Sequence, residues 1–497
     1  MNQLLCFGRK YLKFTKNLHK TKYNNYQSMV SIPRPKSLPL IGTKLDLITG
    51  GLGTRLHVFI DNRHRKLGKI FIENFGTTDL LFISDADFIR TLFINLEGKY
   101  PTHVLPDPWL LYEKLYGQKR GLLFMDGEEW LQNRRIMNKL LLREDADSWI
   151  RNSIIKTINK FIGGWRERTR NETIIIDDIA SELYKISTDV NYYFLSYLIL
   201  FSVLIQILRG STAPPQGNHY DELLTMFTES VKNIFQTTTK LYGIPVNWCQ
   251  RLNLKVWKDF KECVDLSLFL GWLLATSYLF IRNKLVDEML ATRNGEDGLM
   301  QKLIDEHMDG RTISRIIVDF IIAAGDTTAY TSLWILYLLS KNSTEINNIR
   351  SKKQTYIPLV IKEAMRLYPV APFLTRILPQ ESVLGDYTIK EGTPVIASIY
   401  TSGRNEQYFS KPEQFLPYRW DRHDKQKAFL NNHVPSASLP FALGARSCVG
   451  RKIAMIQLTE LIWQCLNSDD IKPITSQALI PNKNIELSLK LRILQDE

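Results

Sequence analysis

FALGARSCVG, residues 441–450, sets one cysteine, Cys448, in a frame of Phe441, Gly444, Arg446 and Gly450 at fixed offsets. Written F-x-x-G-x-R-x-C-x-G, the pattern arises by accident on the order of once in ten thousand chains of this length. Its chemistry is coherent. Glycines let backbone amides approach a sulfur with no Cβ in the way. Amide donors and a nearby guanidinium, here Arg446, hold a cysteine as thiolate, the form that ligates metal. The stretch Arg451–Leu466 then reads as a helix whose positive N-terminal end faces the same sulfur. Taken alone, the loop also admits a structural cysteine in a glycine-rich turn.

Composition narrows the alternatives. The five cysteines, Cys6, Cys249, Cys263, Cys448 and Cys465, are few, odd in number and form no CxxC pair. Neither a disulfide framework nor a zinc site is indicated. Eight histidines include no HExxH and no pair four apart, which disfavours a histidine-held metal. The net charge of +13 is concentrated at one end, with nine basic and no acidic residues before Asp46. The remainder carries 55 basic against 51 acidic residues, so nucleic-acid binding gains no support. Residues 1–30, basic, acid-free and mixed with apolar residues, have the signature of a mitochondrial presequence, with a disordered basic tail as the alternative. Residues 31–45 (Pro33, Pro35, Pro39, Gly42) give a stiff, proline-rich entry to a folded body over 46–497.

Three further motifs carry chemistry. The apolar helix pattern at 313–339 is interrupted by Ala323-Ala324-Gly325-Asp326-Thr327-Thr328. A Thr hydroxyl bonding a carbonyl one turn back distorts such a helix and opens a small groove. Glu363 and Arg366 (E-x-x-R) fall on one helix face, in an apolar context. A second arginine, Arg419, follows in PEQFLPYRW. One carboxylate held by two guanidiniums can be buried with its lone pairs satisfied. Trp130 and Arg134, one helical turn apart, place two donors on one face, which suits a carboxylate.

Together the loop, the AAGDTT helix, E-x-x-R with Arg419, and W-x-x-x-R resemble the cytochrome P450 family along most of the chain. The resemblance implies a mainly α fold with a small β region, in which a long oxygen-binding helix lies over haem b and a thiolate loop lies below. It implies Cys448 as axial ligand of the haem iron, Phe441 packed near it, and Arg446, Trp130, Arg134 and Arg376 as propionate partners. It assigns Thr327 to oxygen activation and Asp326 to the proton-delivery path, although Ala324 stands where the family usually has glycine. Glu363, Arg366 and Arg419 become structural. Arg451 and Lys452 after the cysteine, and Lys362 before Glu363, resemble the mitochondrial branch, where such residues dock a ferredoxin. NADPH would then supply electrons through ferredoxin reductase and ferredoxin. A second docking lysine is missing, because Pro358 stands there.

Candidate pocket residues are residues 105–109, Phe320, Ala323, Val370, Ala371 and Phe373, all apolar or small apart from Asp107, as a sterol-sized ligand requires. The segments IIAAGDTTAY and VIKEAMRLYPVAP look most like the arthropod ecdysteroid 2-hydroxylases of that branch. The expectation is therefore a mitochondrial steroid hydroxylase, peripheral on the matrix face of the inner membrane. The competing readings are a detoxifying mitochondrial monooxygenase and a haem-binding protein that does not oxygenate. Two apolar stretches, 192–208 and 266–281, sit uneasily in this scheme. As helices they span about 24–26 Å, short of a ~30 Å hydrocarbon core. Buried helices or insertions into the family pattern are the leading readings, and a membrane span comes third.

Overall fold

A computed structural model of the chain describes residues 27–28, 31–38, 42–43, 45–46, 55–75, 79–117, 120–143, 146–168, 174–176, scattered positions between 207 and 241, 244–270, 298–467, 471–475 and 489–493. These residues divide into two compact units. One draws on Met1–Val104, Pro372–Ser402 and Pro435–Arg446, the other on Leu105–Ala371, Gly403–Val434 and Ser447–Glu497. The presequence reading of 1–30 lies outside the described residues except for Gln27–Ser28.

The smaller unit is built on a four-stranded sheet of β1 (Ile70–Asn74), β2 (Asp79–Ile83), β3 (Phe373–Ile377) and β4 (Pro394–Ser398), in the order β1-β2-β4-β3. Only the β2–β4 pairing is parallel. Alternate side chains point to opposite faces, and here both faces are apolar. Ile70, Ile72, Leu81, Ile83, Val395 and Ala397 pack with Ile89, Leu92 and Phe93. Phe71, Phe82 and Ile396 pack instead with Ile60 of helix α1 (Leu56–Leu67). Burial on both faces explains why these strands read as near-continuous apolar runs. The strand-like segment YTIKEGTPVIASIY supplies Tyr387–Ile389 and β4, turning at Gly392, whose φ of 76° suits glycine.

His64 of α1 is buried against this sheet. Its Nδ1 lies 3.0 Å from the Gly68 carbonyl and 3.2 Å from Ser84 Oγ, and its Nε2 lies 2.9 Å from Ser398 Oγ. Burial lowers its pKa to about 4, against the opposing pull of the Gly68 bond and of Asp61. The folded state therefore holds His64 neutral where the unfolded chain would take up a proton. Its contribution is intact above the ordinary pKa of 6.5 and is lost as pH falls from there towards 4. A lower melting temperature at pH 5 than at pH 7, with the difference reduced in His64→Asn, is the expected outcome. An unchanged difference in the variant would remove His64 from that account.

The larger unit is mainly helical. Its elements include α2 (Gly127–Leu142), α3 (Gly310–Lys341), α4 (Ile357–Leu367) and α5 (Arg451–Leu466). Helix α3 starts where the Asp309 carboxylate accepts the backbone N–H groups of Arg311 and Thr312, both at 3.0 Å. It is long and apolar enough to cross a membrane, but it is mostly buried within the protein. Helix α4 opens with Pro358 in its first turn, where no N–H is needed. Of its eleven residues Lys362 alone is exposed. The alternating ELSLKLRIL segment supplies the central strand, Leu489–Ile493, of a small antiparallel sheet with Ile174–Ile176 and Ile471–Thr475. The 192–208 stretch lies outside the described residues apart from Ile207, which is buried. Residues 266–270 continue a helix begun at 255, and 271–281 lie outside the described residues.

Candidate active site

Helix α5 is capped by Gly450, and the backbone N–H groups of Gly450 and Arg451 donate to the Cys448 sulfur. The sulfur thus receives the donors that a helix N-terminus leaves unpaired. Cys448 is exposed, but the loop crowds its sulfur closely enough that burial pushes the thiol up from its ordinary value. The Gly450 N–H, the Arg134 cation and Arg451 pull the other way. A metal ion at such a sulfur takes it as thiolate outright.

Helix α2 presents Trp130 and Arg134 on one buried face, at 1% and 6% exposure. Arg134 Nη2 donates to the carbonyl of Ser447, the residue before the cysteine, so one guanidinium both braces the loop and sets a positive field at the sulfur. Burial lowers the Arg134 pKa, with Cys448 acting in opposition. Its Nε is buried with no hydrogen-bond partner among the described residues.

On α3, Thr327 is exposed, and its hydroxyl donates to the carbonyl of Ala323, one turn back, at 2.8 Å. Thr331 repeats the pattern, donating to the Thr327 carbonyl at 2.7 Å. Two successive back-bonds compete with the helix ladder over the AAGDTT segment. Asp326 belongs to α3, but its side chain lies outside the described residues. Phe320 is buried, and its ring lies 3.8 Å from where a Cβ on Gly450 would stand, beside the Cys448 sulfur. Ala323, Val370 and Ala371 are exposed. Trp109, from the expected pocket segment, packs into a core cluster against Phe260 and Phe124, with ring centroids 5.5 and 5.6 Å away.

The larger unit also brings Glu363, Arg366 and Arg419 together, all at most 1% exposed. Glu363 Oε1 accepts from Arg366 Nη2 (2.8 Å), Arg419 Nε (3.0 Å) and the Leu416 N–H (3.0 Å). Its Oε2 accepts from Arg366 Nε and Trp420 Nε1, both at 2.9 Å. The guanidinium of Arg366 continues to the carbonyls of Gly403, Pro412 and Gln414. Trp420 is a further donor that the sequence reading passed over, although it sits next to Arg419 in the same motif.

In the smaller unit, Arg376 on β3 is 1% exposed and donates through Nε to Glu97 at 2.8 Å. Glu97 also accepts the Ala445 N–H at 2.6 Å. Gly444 fits against this carboxylate with φ of 80°, and a Cβ there would stand 2.4 Å from Glu97 Oε1 and 2.3 Å from the Phe93 carbonyl. Glu97 therefore holds the Gly444–Ala445 backbone, and nothing in INLEGKYP announces it. Burial lowers the Arg376 pKa, with Glu97 opposing, and its Nη2 is buried with no partner among the described residues. Arg446 is buried at 8% exposure, Phe441 is half-buried, and Phe373 stands edge-on to Phe82 at 6.0 Å.

Comparison with known proteins gives these residues a context. A family model described as Cytochrome P450 matches residues 32–492. Mitochondrial cytochrome P450 315a1 of Drosophila melanogaster is 36% identical, over 93% of this chain and 89% of its own length. The mitochondrial 1,25-dihydroxyvitamin D(3) 24-hydroxylase of Mus musculus is 27% identical over the same shares. The mitochondrial cholesterol side-chain cleavage enzyme of Hypanus americanus is 26% identical, over 86% of this chain and 84% of its own. Haem suits the donors present. Cys448 offers a soft ligand already hydrogen-bonded on its protein side, and Arg134, in the same unit, keeps a buried N–H that a propionate oxygen would satisfy. Among the described residues no cluster of three His, Cys, Asp or Glu competes for a metal ion.

Proposed function

The chain belongs to the cytochrome P450 family, in its mitochondrial class, as a haem-dependent monooxygenase, and on that premise we propose that it hydroxylates an ecdysteroid precursor at ring position 2. The observation that carries the reaction class is the pairing, within one unit, of an amide-cradled Cys448 with an exposed Thr327 hydroxyl on α3. Haem, once bound, would supply an iron at which O2, with two electrons passed from NADPH through a ferredoxin and two protons, gives one oxygen atom to a C–H bond and releases the other as water. Cys448 would hold the iron, and its two N–H donors would offset the sulfur's charge. Arg134, Trp130, Arg376 and Arg446 are assigned to the propionates. Thr327 presents a hydroxyl for proton transfer, and Asp326, one residue before it, is assigned to deliver the proton.

A steroid substrate is supported by two relatives whose names specify a vitamin D and a cholesterol substrate. The ecdysteroid assignment rests on the likeness of IIAAGDTTAY and VIKEAMRLYPVAP to enzymes of that pathway. Lys362, the lone exposed residue of α4, and the exposed Arg451 are offered with Lys452 as the docking points of an acidic ferredoxin. Lys452 also donates to the Arg143 carbonyl, so part of its capacity is used within the protein.

Contact with the inner membrane on its matrix face has a candidate surface. Trp248, Leu252, Leu254 and Ile244 are exposed, Trp248 at 66%, beside the exposed Arg251 and Lys255. Exposed apolar residues flanked by cations suit an anionic lipid surface. Sedimentation with anionic vesicles that persists in Trp248→Ser would remove this patch from the proposal.

The test of function is reconstitution of the chain lacking residues 1–30 with haem, NADPH, a ferredoxin and its reductase. A 2-deoxyecdysteroid should gain one oxygen at position 2. A protein with an intact CO difference spectrum that leaves that steroid unchanged, or oxidises it elsewhere, would overturn the assignment.

A further inference from the structure

A cleft of about 360 Å³ opens in the larger unit between the start of α4 and the segment that follows Arg419. Tyr356, Leu359 and Trp420 give it apolar walls, and the exposed Lys352, Arg422 and His423 line it as well. The chain then enters a single turn of helix, Lys425–Phe429, started by the Asp424 carboxylate on the Gln426 N–H at 2.9 Å. At the end of that turn Phe429 is 84% exposed, the highest value of any large apolar residue described. Charge is uneven here too. Across residues 352–362 and 420–430, Lys352, Lys353, Lys362, Arg422 and Lys425 are exposed. The two acids of these stretches are half-buried and spent within the protein. Asp421 accepts the His423 N–H at 2.9 Å, and Asp424 adds a contact to Lys352 at 3.5 Å. Lys353, Lys362, Arg422 and Lys425 form no ion pair among the described residues.

An aromatic ring held in water near a cleft and unpaired cations has the composition of an interface anchor, where aromatic residues and arginine predominate. The partner that fits is one the reaction already needs. To an acidic electron carrier α4 offers a single exposed cation, Lys362, with Pro358 in the turn before it. Leu359, three residues before Lys362 and so on the same side of α4, lines the cleft. The cleft and its cations are therefore continuous with that docking point. Resting on the reading that a ferredoxin supplies the electrons, we infer that residues 421–430 form a second contact zone for it. Arg422, at the cleft, takes a carboxylate of the carrier, and Phe429 buries its ring against an apolar part of the carrier's surface. A charge contact is screened by salt and an apolar one is not, so the two anchors answer to ionic strength differently.

The probe is a mitochondrial [2Fe–2S] ferredoxin, kept reduced by its reductase and NADPH and titrated into the haem-loaded chain. CO traps the reduced haem, so the rate is read against ferredoxin concentration. Arg422→Glu should raise the half-saturating concentration about tenfold or more and flatten its dependence on salt. Phe429→Ser should raise it several-fold and leave the salt dependence as it was. In both variants haem content and the CO spectrum after dithionite should match those of the unaltered chain. Half-saturation unchanged in both, while Lys362→Glu weakens it, overturns the inference and leaves the ferredoxin reading standing. An equal weakening in Arg251→Glu, on the Trp248 patch, would trace the effect to net charge and also overturns it. So does a loss confined to anionic vesicle binding, which would give this face to lipid. A chain that dithionite reduces and ferredoxin does not overturns both readings.

Discussion

Replacing Cys448 with alanine is expected to remove the red-shifted Soret band of the reduced, CO-bound protein completely, while leaving the apoprotein as stable as before. The two halves of that result have separate causes. The sulfur is the atom to which two backbone N–H groups and the field of Arg134 are directed, and among the described residues no other cysteine is placed to replace it. Cys249 and Cys465 are buried in the core, and burial pushes the Cys263 thiol further from the thiolate. Stability should be spared because Cys448 is exposed and contributes little to the core. Losing a small exposed side chain changes stability by roughly 0.5 kcal/mol or less. Far-ultraviolet circular dichroism and the melting temperature of the apoprotein measure the second half, and the CO difference spectrum the first. A retained band would mean that the ligand is another residue. A band lost together with the fold would mean that the cysteine is structural, the competing reading of its loop.

How much of this was legible beforehand depended on chain distance. The groups that sequence spacing sets side by side were readable. Cys448 lies two residues before the helix cap Gly450, Glu363 three before Arg366, and Trp130 four before Arg134. Secondary structure fixes such offsets, so a residue pattern carries the geometry directly. Partners brought together from far along the chain were not readable. Glu97 meets Arg376 across 279 residues, and Arg120 meets Asp319 across 199. Each of these carboxylates stands in a stretch with no distinguishing pattern, and only the folded chain sets them opposite a guanidinium. Trp109 shows the converse. Apolar character offered it equally to a ligand pocket and to the core, and packing with Phe260 and Phe124 decided for the core. The +13 charge, read as a presequence and not as a binding face, lies largely outside the described residues.

The second large effect concerns a residue distant from any chemistry. Glu363→Ala is expected to yield little folded protein, and Glu363→Gln a fold with a markedly lower melting temperature. The carboxylate is fully buried and takes five donors: two from Arg366 and one each from Arg419, the Leu416 N–H and Trp420. Removing it leaves Arg366 and Arg419 buried within reach of each other with no counter-charge. Burial already lowers the Arg419 pKa, with Glu363 opposing and Arg366 adding to the shift. Breaking one side of a buried pair typically costs about 3–5 kcal/mol, against a total stability of only about 5–15 kcal/mol. Glutamine restores one acceptor oxygen but no charge, so its variant should survive with a melting temperature lower by on the order of 10 °C. The fraction that folds should bind haem in normal proportion and turn over at the normal rate per haem, because the groups that Glu363 bonds, Arg366, Leu416, Arg419 and Trp420, have no part in the proposed reaction. Asp424→Asn, which removes the part-exposed Lys352–Asp424 contact at 3.5 Å, is the control and should change stability by about 0.5 kcal/mol or less. A Glu363→Gln protein that melts with the unaltered chain would show that the two guanidiniums find their charge balance elsewhere. One that melts normally but loses turnover per haem would move Glu363 from scaffold to mechanism.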